Sequence, residues 1–427
     1  MMLRSLIEIG RSLGKKLSGP FLMDIGRLGV GNLFAVIISF IGYPILARLY
    51  SDLEFGEFAL FQSVFLVLVF LSSLNYQEAL LLIKSKTQFT HLLNGLILVI
   101  IGFSLLITFF ISFSGFSFLG INLNQHHIWL LPITVMLGAF AQIGHYAFLR
   151  QKKFKFISLV KIVERIIFLS TAILLAITKV IHSGLIWGLL AGRFAAFSIS
   201  LCHITPKQFR ITKQFRKILC RHRNFLFYAL PGGLLERISR HLPIIIISTL
   251  AGKIATGQYA MAYKILTLPE LVIGASIGQV FYQRASKKFL SNRKLLPIII
   301  QTWGLQFMLG IIPLVVIVFF GDYLFAFFLG DSWLQAGEIA KILGVMLFAM
   351  FVSTPTSSIL NILNKQHIGL VFGIIVLATR SVSLVIGLKL FALDGALWTF
   401  VITEIVVIIA FNLFLLKFTS NWDNQLT

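Results

Sequence analysis

Apolar residues along this chain come in long uninterrupted runs, with short polar segments between them, from Leu28 to Lys417. A run of about 20 apolar residues crosses roughly 30 Å of hydrocarbon as a helix, and in lipid only helices or closed barrels satisfy every backbone polar group. Twelve transmembrane helices are expected, at 27–47, 57–82, 92–113, 127–149, 156–179, 183–203, 225–249, 257–283, 295–320, 338–363, 366–391 and 394–417. The connections are short, leaving little room for a soluble domain. The expected fold class is an all-α integral membrane protein with about 12 such helices.

Charge refines this picture. The chain is 58% hydrophobic and 12% charged, with a net charge of +22. Such a surplus raises the question of nucleic acid, but its placement follows membrane topology. With the N-terminus taken as cytoplasmic, the inside segments hold clusters such as Arg150, Lys152, Lys153 and Lys155, the run from Lys207 to Arg223, and Arg284 to Lys294. The outside segments hold Arg48, Lys179, Lys253 and Lys389 and gather Asp52, Glu54, Glu57, Asp322, Asp331, Glu338 and Asp394. Both termini are therefore expected in the cytoplasm, with no nucleic acid as partner.

Residues 1–26 lack the apolar core of a signal peptide. Leu3, Leu6, Ile7, Leu13 and Leu17 follow helical spacing opposite basic residues, which fits an interfacial helix on the cytoplasmic leaflet; a frayed basic tail fits the same residues. Cys202 and Cys220, the two cysteines, both fall near the cytoplasmic side, where a disulfide is not expected.

An internal repeat divides the spans. Gly56-Glu57-Phe58-Ala59 and Gly257-Gln258-Tyr259-Ala260 each follow a proline-containing span and a short outside loop, at an offset of 201 residues. The expected organisation is a six-helix lobe at 27–203, a basic cytoplasmic linker at 204–224, a second six-helix lobe at 225–417, and a cytoplasmic tail at 418–427.

Several charges fall inside the apolar runs. Lys161, Arg165, Arg193, Arg237, Arg240, Lys264, Lys341 and Arg380 outnumber Glu78, Glu164, Glu236, Glu270 and Glu404. A lipid-facing arginine at mid-bilayer costs roughly 2.5–3.5 kcal/mol on insertion scales, so Arg193, Arg237, Arg240 and Arg380, each near the middle of an apolar run, must face something polar. Arg237 and Arg240 share a helix face, with Glu236 four residues before Arg240 as a local partner. Lys161 and Arg165 share another face beside Glu164, near enough to the cytoplasmic end to snorkel. Arg193 and Arg380 have no acid within one turn of their own helices, leaving a cavity or an interhelical ion pair.

The segments PILARLYSDLEFGEFALFQSVF, YALPGGL, GQYAMAYKILTLPELVIGASIGQVFYQRAS and VSTPTSSILN resemble the Wzx-type polysaccharide flippases of the multidrug/oligosaccharidyl-lipid/polysaccharide exporter superfamily, and the likeness runs from about Arg27 to Lys417. The resemblance implies two six-helix lobes around a central cavity. It also implies a bacterial inner-membrane protein that moves undecaprenyl-pyrophosphate-linked oligosaccharide from the cytoplasmic to the periplasmic leaflet, for O-antigen, capsule or exopolysaccharide assembly. A polysaccharide polymerase and a chain-length regulator are the protein partners this implies.

Such a cargo needs a hydrated cationic site, and guanidinium grips phosphate oxygens with paired hydrogen bonds. Arg193, Arg380, Arg237, Arg240, Arg165, Lys161 and Lys264 are the candidate substrate-binding residues. Glu270 and Glu404 are candidates for coupling to a proton or sodium gradient, with structural pairing to Lys264 or Arg380 as the alternative. Thr354, Ser357 and Asn361 form a polar stripe, and Tyr259 and Tyr263 share a face; both sets are candidates for a glycan path or for helix packing. Prolines such as Pro44, Pro243 and Pro355 supply bends for alternating access driven by an ion gradient or the membrane potential.

No cofactor and no catalytic residue is expected. There is no Walker sequence, Gly26 to Gly31 follows no strand, and His126-His127 lacks a zinc-site pattern. A cation antiporter of the same superfamily would line its cavity with acids, and a membrane glycosyltransferase or polymerase would carry a sizeable catalytic loop. A purely structural membrane partner would leave the intramembrane cations without a ligand.

Overall fold

The computed structural model describes residues 20–83, 85–114, 125–179, 183–203, 213–268, 270–363 and 365–424. Residues 1–19, on which the interfacial-helix expectation rests, lie outside them. The first half supplies α1 (Pro20–Leu49), α2 (Asp52–Ser72), α3 (Lys86–Ser114), α4 (Leu130–Arg150), α5 (Phe154–Thr178) and α6 (Gly184–His203). A short amphipathic helix, α7 (Lys213–Arg221), follows. The second half supplies α8 (Leu230–Leu250), α9 (Gly252–Leu266), α10 (Ala275–Leu290), α11 (Leu296–Leu329), α12 (Leu334–Ser353), α13 (Gln366–Leu390) and α14 (Leu393–Asn424).

The described residues are predominantly helical and contain no strand. Eight of the helices are long and apolar enough to cross a membrane. They leave much of their surface uncovered: Phe109, Phe113, Ile312, Phe319 and Val382 are exposed apolar side chains on α3, α11 and α13. In water so much uncovered apolar surface would drive aggregation, whereas lipid is its natural solvent.

Of the other four expected spans, three differ for a physical reason. α5 carries Lys155, Lys161, Glu164 and Arg165, and α8 carries Glu236, Arg237 and Arg240. The expected span 257–283 is split into α9 and α10 by a π-helical turn at Glu270–Gly274. In α1, whose side chains are described from Leu33 on, Leu33–Leu49 is apolar. All four border the central cavity described below, where water relieves the cost of charge and irregular backbone.

Other boundaries also move. α2 ends at Ser72, and Glu78, expected inside a span, sits in a 3-10 turn at Glu78–Leu81. The expected span 338–363 is α12 followed by a 3-10 turn at Thr354–Ser358. The segment expected as a tail remains helical to Asn424, and the Asp423 carboxylate accepts hydrogen bonds from the backbone N–H groups of Leu295 and Leu296 at 2.8–3.0 Å. It thereby satisfies donors that the start of α11 leaves unpaired.

Ser51 starts α2 with a capping box: its hydroxyl accepts from the Glu54 N–H while its own N–H donates to the Glu54 carboxylate at 3.0 Å. This places Gly56 where α2 crosses α9. A Cβ on Gly56 would lie 1.8 Å from the Lys253 carbonyl oxygen, and one on Gly257 would lie 1.9 Å from that of Asp52. Asp52 and Lys253 are themselves 201 residues apart, so the two repeat motifs meet reciprocally across a local two-fold. Only glycine permits so close an approach.

The same end of the bundle is sealed around Trp333, whose indole N–H donates to the Ala47 carbonyl at 2.8 Å and whose ring meets Phe55 edge-on at 5.1 Å. Gln258 donates to Asp52 at 3.1 Å and to the Ser332 carbonyl at 2.8 Å, while Lys253 pairs with Glu57 at 2.6 Å. These contacts tie residues 47–58 to residues 253–333 at the acidic end of the molecule.

Candidate functional site: a cationic cavity between the halves

A cavity of about 850 Å³ lies between the halves. α1, α2 and α5 line one side; α8, α9, the π turn, α10 and the 3-10 turn at Thr354 line the other. The lining cations are Lys161 and Arg165 from one half and Arg240 and Lys264 from the other, with His241 beside them. Glu270 is the one carboxylate among the described lining residues. Water or anions must balance this excess in an apolar surround.

Each cation is set by its helix. The Lys264 ammonium lies 4.4 Å from the Tyr43 ring centre, 5.2 Å from that of Phe58, and 3.5 Å from the Gln62 side-chain oxygen. Aromatic faces hold a cation without neutralising it, so it remains able to meet an anion. Arg165 lies over Phe168 at 5.8 Å, and Tyr43 is flanked by both Lys264 and Arg165. Arg240 pairs with Glu236 at 3.0 Å, as their four-residue spacing allows, but both side chains are more than half exposed. Such an exposed pair is worth little and yields readily to a phosphate.

Glu270 opens the π turn opposite Thr354, with Arg240 the cation acting on it. A π turn leaves main-chain groups out of the regular ladder and is common at functional sites.

Several expected site residues lie elsewhere. Arg237, expected on one face with Arg240, instead lies 4.4 Å over the Phe70 ring and lines a second, smaller cavity. Three residues of helix leave about 60° between side chains, and Phe70, packed at Gly233, stands in that gap. Arg193 also lines the smaller cavity, pairing with Glu164 at 3.2 Å and lying 5.1 Å over Phe65. Arg380 lines neither cavity. Its guanidinium makes paired bonds to Glu404 at 2.9 and 2.6 Å and donates to the Ser239 carbonyl at 2.7 Å. The interhelical ion pair therefore describes both Arg193 and Arg380, and Glu404 is engaged by Arg380 instead of facing the cavity.

The polar stripe also divides. Pro355 and Ser358, three apart and so eclipsed in a 3-10 turn, line the central cavity with Thr354. Ser357 and Asn361 face a separate groove against α13 and α14. Tyr259 is buried with 2% exposure and stacks on Tyr263 at 6.0 Å; only Tyr263 reaches the cavity.

Sequence reasoning missed Ser39, Tyr43, Gln62, Ser63 and His241. The signal was present: Ser39 and Tyr43 are four apart on α1, and Ala59, Gln62, Ser63 and Leu66 follow helical spacing on α2.

Arg380→Ala is expected to destabilise the protein by about 3–5 kcal/mol, because it leaves the buried Glu404 charge without a partner. The double replacement Arg380→Leu with Glu404→Leu should recover most of that loss. Thermal unfolding of the purified protein in detergent compares the two, and equal loss in both would refute the charge argument.

With this geometry in place, comparison with known proteins identifies the fold. The sequence profile described as "Polysaccharide biosynthesis protein" matches residues 45–338. The teichuronic acid biosynthesis protein TuaB of Bacillus subtilis (strain 168) is 22% identical over 183 residues, covering 43% of this chain and 38% of that relative's length. The lipid II flippase MurJ, in an inward closed conformation, superposes with a TM-score of 0.73 at 16% identity, over 90% of this chain and 86% of MurJ. An inward-facing multidrug resistance MATE transporter superposes with a TM-score of 0.63 at 14% identity, over 93% of this chain and 94% of its own. The chain is a multi-pass membrane protein with the MurJ/MATE transporter fold, and it belongs to the polysaccharide biosynthesis protein family.

Proposed function

We propose that this protein flips a polyprenyl-pyrophosphate-linked oligosaccharide from the cytoplasmic to the periplasmic leaflet of a bacterial inner membrane. The observation that carries this reading is the cavity in which Lys161, Arg165, Arg240 and Lys264 converge from both halves on a space with a single carboxylate among its described lining residues. A multidrug exporter of cationic amphiphiles would be repelled there. A diphosphate head would replace water at these cations with charge-assisted hydrogen bonds while its isoprenoid tail stayed in lipid.

Alternating access follows from the same geometry. In this reading the two halves are rigid six-helix lobes, both termini are cytoplasmic, and the cavity faces the cytoplasm. The Gly56/Gly257 crossing and the Trp333 seam form the closed periplasmic gate. Cargo would enter beside Thr354 and Ser358, place its diphosphate between Arg165 and Lys264, and leave when the seam opens. Glu270 is the carboxylate placed to couple this cycle to a proton or sodium gradient, because cargo that engages Arg240 removes the cation acting on Glu270. A polymerase and chain-length regulator would receive the product.

The test is accumulation. Deletion of the gene should leave lipid-linked oligosaccharide on the cytoplasmic leaflet and remove surface polysaccharide. Loss of polysaccharide without that accumulation would favour a polymerase or transferase instead.

A further inference from the structure

The smaller cavity, about 320 Å³, is lined by α2, α4, α5 and α6, with Arg237 contributed by α8. Its meaning emerges from a comparison of two ion pairs. In the second half, Arg380 on α13 and Glu404 on α14 join consecutive helices through two short contacts, with side chains 11% and 3% exposed. In the first half, α5 and α6 are joined by Glu164 and Arg193, the same pair with its charges exchanged between helices. That pair makes a single 3.2 Å contact, and its side chains are 22% and 24% exposed. The Arg193 Nε is buried without a hydrogen-bond partner among the described residues, whereas the Arg380 Nε is bonded to Glu404.

A second unsatisfied group lies in the same cavity. Gln142 Oε1 is buried and also lacks a partner. Thus one donor and one acceptor await a ligand, and each costs stability while it stays unmet. Arg193, Arg237 and Lys161 line the cavity against Glu164, its one acid among the described lining residues; His145 and Tyr146 complete the titratable groups, and Glu78 acts on Tyr146 from beyond the lining. The excess charge is positive.

We propose that this side cavity, which borders the central cavity and shares Lys161 and Leu66 with it, is a binding site for a small inorganic anion, with Arg193 as the main ligand and Glu164 as its internal competitor. A hydroxyl-bearing oxyanion such as dihydrogen phosphate fits better than a halide. Its oxygens accept from Arg193 Nε, and its O–H donates to Gln142 Oε1. The tight Arg380–Glu404 pair leaves neither partner open to exchange, while the loose counterpart leaves its arginine open to exchange between carboxylate and anion.

The experiment titrates sodium phosphate, and separately sodium chloride, against the thermal midpoint of the purified full chain in detergent, with ionic strength held by sodium methanesulfonate. Phosphate should raise the midpoint saturably and more than chloride does. Arg193→Gln should abolish the saturable rise, whereas Glu164→Gln, which removes the competitor, should tighten the apparent affinity by about tenfold. Equal or weaker binding in Glu164→Gln would overturn the proposal even if Arg193→Gln failed to fold. So would a rise lost in Arg165→Gln but intact in Arg193→Gln, which would place the anion in the central cavity. The absence of any saturable rise would mean that water alone fills the site.

Discussion

Replacing Arg165 and Lys264 together by glutamine is expected to lower flipping of lipid-linked oligosaccharide by at least about 100-fold, while the protein stays folded in the membrane. Each charge-assisted hydrogen bond to a phosphate is worth roughly 1.5–3 kcal/mol, so losing two costs about 3–6 kcal/mol of cargo binding. Stability should change little, because neither cation pairs with a carboxylate among the described residues; both rest on aromatic faces at 4.4–5.8 Å. Glutamine removes the charge but retains much of the side chain, leaving most of the packing against Tyr43 and Phe168. Leaflet-accessibility assays in proteoliposomes, normalised to folded protein, give the readout. Retained transport in the double variant would reject the central cavity as the cargo site. Single replacements should fall between, with Arg165→Gln and Lys264→Gln similar in effect if both grip the same diphosphate.

The second large effect is expected at the helix crossing. Gly257→Ala should abolish transport, because its Cβ would meet the Asp52 carbonyl at 1.9 Å, a backbone atom that no side-chain rotation can move aside. Gly56→Ala should behave the same way, meeting the Lys253 carbonyl at 1.8 Å. Overpacking of this kind typically costs 1–3 kcal/mol, roughly, and here it would force α2 and α9 apart. The Trp333 seam should then loosen, so a Ser332→Cys reporter should react faster with a membrane-impermeant maleimide in the alanine variants than in the parent. Gly102→Ala supplies the control, since a Cβ there meets nothing within 4 Å. Unchanged transport in both crossing variants would show that the seam is not needed for the cycle.

These two predictions differ in how far sequence alone leads to them. The glycines were legible as repeat motifs, since Gly56 and Gly257 stand at equivalent places in two similar segments. That they touch each other was not, because an offset in sequence carries no distance in space. Arg165, Lys264 and Arg240 were legible as cations inside the apolar runs, and all three line the central cavity. Arg193 and Arg380 lacked an acid on their own helices, which made them resemble free cavity ligands. Their partners, Glu164 and Glu404, stand on neighbouring helices, beyond the reach of any periodicity argument. Tyr43 was missed because a single tyrosine in an apolar run reads as packing until Lys264 and Arg165 are seen on either side of it.

Sequence by itself determined the solvent and the class of the protein: a chain built of long apolar runs, with its cations gathered on alternate connections, is a bundle of membrane helices. It also determined that some charge had to be shielded from lipid, because each arginine exposed at mid-bilayer costs roughly 2.5–3.5 kcal/mol. Tertiary structure alone decided which charges remain available. Whether an arginine meets a carboxylate or an open cavity depends on the rotation and separation of different helices, and ångström-scale placement separates the tight Arg380–Glu404 pair from the loosely held Arg193 and from the aromatic-supported Lys264.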